Sequence, residues 1–121
     1  MAFRPLEWDA IGRALANGTT EAELRAAIGR LYYAMFGESL MALGRKGLVT
    51  PRMDGTDHGA VARALQSNKR GNASIALNNL RDLRNLADYD YGAEITGDKV
   101  QKAIAFADAI TRFCSTDWAQ N

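Results

Sequence analysis

The residues best suited to chemistry stand together near the end of a helical stretch, in the order Arg84-Asn85-Leu86-Ala87-Asp88-Tyr89-Asp90-Tyr91. A guanidinium offers its N–H donors in a planar fork that matches two oxygens of a phosphate or of a carboxylate. Arg84 can therefore act as a phosphate ligand, or as half of an internal ion pair with Asp88, four residues on and on the same helical face. Arg81, three residues before Arg84, extends the same stripe. A phenol ionises near pH 10 and an ordinary carboxyl near pH 4, so Tyr89, Asp88 and Asp90 are weak general bases at neutral pH. Acids at a helix C-terminus oppose its dipole, so Asp88 and Asp90 require either a compensating arginine or a functional reason.

Other residues of the same chemical kind are open to two readings. Arg30 and Tyr33 share one side of an earlier helix, where they could line a nucleic-acid groove. Arg30 is expected instead to help pack two long helices, paired with Tyr33 and Asp88. Tyr32, Tyr33 and Phe36 could stack on bases, but aromatics on a central helix belong more often to the core or to a dimer interface. His58, the single histidine, is expected at the surface or as a cap at the start of a short helix. Cys114, the single cysteine, falls in an apolar helical pattern and is expected in the core. One His and one Cys are too few for a transition-metal site, and no cofactor is expected. The loop Gln66 to Gly71 carries Lys69 and Arg70, a solvated pair that could also meet phosphate.

Helices must position these groups. The first is expected from Pro5 to Ala16, with Pro5 at N1 and Asn17-Gly18 as a stop. The second opens on a capping box, Thr20 with Glu23, and carries Leu24, Ala27, Ile28, Leu31, Tyr32, Met35, Leu40 and Leu43 to an end near Gly44 or Gly47. A third, shorter helix covers about Asp57 to Gln66, after the turn-rich Thr50 to Gly55. The fourth begins with Asn72 as N-cap, and Ala73, Ala76, Leu80, Leu83 and Ala87 form a seam suited to another long helix. The fifth runs from Thr96 to about Asp117, with Val100, Ile104, Ala107, Ile110 and Cys114 inward. Alternating β-branched runs are nearly absent. The expectation is an all-α, five-helix up-and-down bundle over residues 1–121, one domain, with the second and fourth helices long, central and antiparallel.

Composition narrows the classes further. The 47% apolar and 24% charged residues are those of a folded domain, not a disordered tail. Fifteen Lys and Arg against 14 Asp and Glu leave a formal charge of +1, so any nucleic-acid contact has to be local. With a lone cysteine there can be no internal disulfide, which fits a reducing compartment. No signal-peptide layout opens the chain and no apolar run approaches about 18 residues. A cytoplasmic protein without membrane contact is expected.

Two stretches resemble a known family. Ala27-Ile28-Gly29-Arg30-Leu31-Tyr32-Tyr33-Ala34-Met35-Phe36 is similar to the R-x-Y-Y-A-x-F signature of HEPN proteins, in particular their UPF0332-type branch. Leu83-Arg84-Asn85-Leu86-Ala87-Asp88-Tyr89-Asp90 is similar to the L-R-x-x-A-D-Y-D stretch of that branch. Their order, with His58-Gly59 opening the segment between, extends the resemblance from about Glu21 to Phe113. It implies a HEPN-type bundle that dimerises with its own kind, often beside a nucleotidyltransferase-type partner in toxin–antitoxin or defence systems. Many members are metal-independent ribonucleases that use an Arg, a polar residue and a His separated from the Arg by four to six residues. Arg84 and Asn85 fill the first two places, but the His place, position 89, 90 or 91, holds Tyr89, Asp90 and Tyr91.

The missing histidine bears on function. Attack by a 2′-hydroxyl needs a base, an acid and a cation for the developing charge, and here only the cation is clearly supplied. The leading expectation is a component that binds RNA, a nucleotide or a partner protein without efficient RNase activity. Its site would comprise Arg84, Asn85, Asp88 and Tyr89, with Arg81, Arg30 and Tyr33 along a nucleic-acid-binding groove. One alternative is a metal-independent ribonuclease using Arg84 with Asp88, Asp90 or Tyr89. Another is an interaction module in which this cluster only holds the bundle together.

Overall fold

The computed structural model describes residues 3–118. Its helices are α1 (Glu7–Leu15), α2 (Glu21–Arg45), α3 (Asp57–Ser67), α4 (Gly71–Tyr89) and α5 (Gly97–Trp118), with no strand among the described residues. The capping box forms as expected. Thr20 Oγ1 accepts from the Glu23 amide at 3.1 Å, and Glu23 Oε1 accepts from the Thr20 amide at 3.1 Å. At the other end of α2, Gly47 takes a left-handed φ of 73°, which lets the Leu48 amide reach back to the Leu43 carbonyl.

Two boundaries differ from the sequence expectation. Pro5 lies in a turn before α1, because the Glu7 and Trp8 amides bond only three residues back, to Arg4 and Pro5. Asn72 is not the N-cap of α4. Lys69, at φ 63°, ends α3 and lets the Arg70 amide bond to the Leu65 carbonyl, so α4 starts at Gly71 with Arg70 as its cap residue.

The core is built around α2, whose Ile28, Leu31 and Met35 are fully buried against Leu77 and Leu80 of α4 and Val100 and Ile110 of α5. Along the α4 seam Ala73, Ala76, Leu80 and Ala87 are buried, whereas Leu83 is only partly so. In α5 likewise Ile104 lies at the margin. Cys114 is buried, as expected of a core residue.

Contacts along the helices set their directions. Arg25 near the start of α2 meets the end of α4, so these two long helices are antiparallel. Strict up-and-down alternation fails once. Tyr32 lies beside His58, and Leu43 shares a small cleft with Leu65, so α3 runs in the same direction as α2. The connection 46–56 makes this possible by doubling back along α2, with Pro51 against Gly44 and Met53 beside Phe36 and Met41. No helix among the described residues is long and apolar enough to cross a membrane.

Candidate functional site

The two family-like stretches, some fifty positions apart in the chain, meet at Arg84. Its Nε donates to Asp88 Oδ2 at 2.9 Å and its Nη1 to Asn85 Oδ1 at 3.3 Å. Its Nη2 donates to the hydroxyl of Tyr33 on α2 and, at 2.9 Å, to that of Tyr89. Four of the five N–H groups of an arginine are thereby engaged inside the protomer. The guanidinium carbon also stands 5.0 Å from the ring centres of Tyr33 and Tyr89. Burial by itself disfavours the cation, but the oxygens of Tyr33, Tyr89 and Asp88 outweigh it and hold the group above the ordinary arginine value. The side chain is 15% exposed and that of Asp88 32%, so the ion pair opens to solvent on the carboxylate side. The internal-pair alternative for Arg84 is thus realised in this geometry.

Arg30 does not join this group. It lies over the ring of Trp8 from α1 at 5.1 Å, and Gly29 is the residue facing Asp88. Positions 30 and 33 differ by a sixth of a turn, enough for Tyr33 to lean toward α4 while Arg30 leans toward α1. Arg81 is exposed and makes no ion pair among the described residues. Tyr32 belongs to the core, whereas Tyr33 and Phe36 line an apolar cleft of about 370 Å³ with Trp8 and Met53.

Arg25 answers the electrostatic conflict at the end of α4, and the sequence reading did not single it out. Its Nη1 donates to the carbonyls of Leu86, Ala87 and Asp90, and its Nη2 to that of Ala93 at 2.6 Å. A cation on the last carbonyls offsets the unfavourable placement of Asp88 and Asp90. A signal was present: once α2 and α4 are antiparallel, a basic residue in the first turns of α2 must fall near the end of α4.

His58 is buried, contrary to the surface or capping role expected of it. Its Nδ1 lies 2.8 Å from the Tyr32 hydroxyl and its Nε2 2.9 Å from Asn78 Oδ1. With Nε2–H donating to the Asn78 oxygen, Nδ1 accepts from Tyr32. Burial pushes the imidazole below its ordinary value, helped by the Arg81 cation and opposed by the Asn78 bond and Asp82. Burial also pushes the Tyr32 phenol up to about 12. Sequence position alone placed His58 at a helix start; what buries it is the returning connection, which lays α3 across α2 and α4.

Glu38, fully buried, is a second group the sequence reading passed over. Arg4 holds both its oxygens, at 2.6 and 3.2 Å, and the Leu6 amide adds a third bond at 3.0 Å. This joins the segment before α1 to the middle of α2. Among the described residues no cluster of three or more His, Cys, Asp or Glu is placed to hold a metal ion.

No family model, curated protein or solved structure matches this chain.

Proposed function

We propose that the chain is a HEPN-type module of a toxin–antitoxin or defence system that acts by binding RNA, a nucleotide or a partner protein, without efficient RNA cleavage. The observation that carries this reading is the convergence of the two family-like stretches on one hydrogen-bonded group, Tyr33 with Arg84, Asn85, Asp88 and Tyr89, that contains no imidazole. The place of the family histidine is taken by phenols and carboxylates. The one imidazole in the chain is engaged at both nitrogens elsewhere. In this reading Arg84 braces α2 against α4 and orients Tyr89, whose side chain stands at the surface with that of Tyr91. The protein acts as a homodimer, cytoplasmic, with a nucleotidyltransferase-type protein as its associate.

Incubation with total RNA and with transfer RNA in the presence of EDTA tests the catalytic half. The expected result is intact RNA for the wild type and for Arg84→Ala alike. Cleavage that survives chelation and disappears in Arg84→Ala would establish the ribonuclease alternative instead. Sedimentation equilibrium tests the dimer, with a mass twice the 13.2 kDa of the chain expected.

A further inference from the structure

The connection 46–56 and the outer face of α3 enclose an open groove of about 740 Å³, on a face separate from the Arg84 group. Two arginines line it, Arg52 from the connection and Arg63 from α3, and neither side chain has an acidic partner among the described residues. Thr50 and Ser67 line the same walls. The one acid in the lining, Asp57, is 3% exposed. Its Oδ1 accepts from the Arg52 amide at 2.9 Å and its Oδ2 from the Met53 amide at 2.8 Å. Its carboxylate therefore holds the turn that carries Arg52 without forming an ion pair with either guanidinium. Asp54, nearby and exposed on the turn, is held below the ordinary carboxylate value by bonds from Thr56 and, to a smaller extent, by the Arg52 cation.

Arg63 has a built seat. Its guanidinium lies back over Gly59, with Nη1 only 3.1 Å from where a Cβ would stand, so the missing side chain makes room for it above the first turn of α3. No side chain caps that turn. Exposed Leu48, with Ala60 and Ala64, adds an apolar wall beside the charges. Two planar cations beside hydroxyl-bearing and apolar residues suit a phosphate group carrying a sugar and base.

We infer that this groove binds a phosphate-bearing ligand, a nucleotide or the backbone of single-stranded RNA, through Arg52 and Arg63. The inference rests on the binding half of the reading above and gives it a location away from Arg84, most of whose donors are already engaged.

The test titrates inorganic phosphate, AMP and a labelled single-stranded RNA of about twelve nucleotides against wild type, Arg52→Ala/Arg63→Ala and Arg52→Lys/Arg63→Lys. Saturable binding of any of the three, weakened about tenfold or more in the alanine variant, supports the site. The ligand that binds most tightly names the source of the phosphate. For RNA, loss of two phosphate contacts also lowers the slope of log affinity against log salt by about 1.4, while the lysine variant keeps most of that slope. The far-ultraviolet circular dichroism of the alanine variant should match the wild type, because neither side chain holds a partner within the fold. Wild-type binding that the alanine variant retains in full overturns the site and leaves the proposed function standing. No saturable binding of any probe by the wild type overturns the site and, with it, the RNA and nucleotide half of that function.

Discussion

Replacing Arg84 by alanine unties α4 from α2 at the point where Tyr33 meets the Arg84 group, and the cost can be worked out contact by contact. The pair with Asp88 is an i,i+4 bridge with one partner about a third exposed, so solvent screening limits it to about 0.3–0.5 kcal/mol. The bond to the Tyr33 hydroxyl joins a charged donor to a partly buried acceptor and contributes about 1–1.5 kcal/mol. Stacking over Tyr33 and Tyr89 adds about 0.5–1 kcal/mol. The total is about 2–3 kcal/mol, a lowering of the thermal midpoint by about 6–12 °C in a domain of this size. Arg84→Lys keeps the charge but not the fork and should lose about half of that. Urea unfolding followed by circular dichroism measures both, and an unchanged m-value would confirm that the folded state alone is affected. A midpoint for Arg84→Ala within about 1–2 °C of the wild type would refute the brace, since contacts that cost nothing to remove hold nothing together.

Further expectations concern groups outside that pair. Arg25→Ala removes a 14% exposed cation from four carbonyls at the end of α4 and should cost about 2–3 kcal/mol, with amide exchange speeding up first around residues 86–93. His58 takes up its proton less readily folded than unfolded, so the unfolded chain binds more protons as the pH falls below about 6.5. Stability should be full above that pH and decline toward the depressed folded value by at most about 1.4 kcal/mol per pH unit; His58→Gln should flatten the curve below about pH 6.5. Cys114 is 1% exposed and burial, with Asp117 adding, pushes its thiol up to about 11, so a thiol reagent at pH 8 should label it only after denaturation. Labelling of the native protein at the rate of a free thiol would show that the end of α5 opens.

Much of the helical framework was legible residue by residue, because its causes are local. The capping box at Thr20 and Glu23, the stop at Gly47 and the inward Val100, Ala107, Ile110 and Cys114 of α5 each follow from interactions within a few turns of one helix. Local reading failed where a distant segment decided the matter. His58 opens a helix and reads as a surface residue; only the doubled-back connection puts it beneath Tyr32 and Asn78. Arg30 and Tyr33 share a helix side, yet Trp8 draws one toward α1 and Arg84 draws the other toward α4. Arg4 and Glu38 carry no sign in the chain that they will pair.

The candidate site divides along the same line. The order of residues was enough to put Arg84 and Asp88 within reach of one another and to show that no histidine accompanies them, since a helix brings positions four apart together whatever surrounds it. Whether that guanidinium would face solvent or be engaged from α2, and where arginines without an ion-pair partner would gather, was decided by the tertiary structure. Those outcomes depend on which helices come to lie side by side, and that is set by burial of the whole core, which no short stretch of sequence contains.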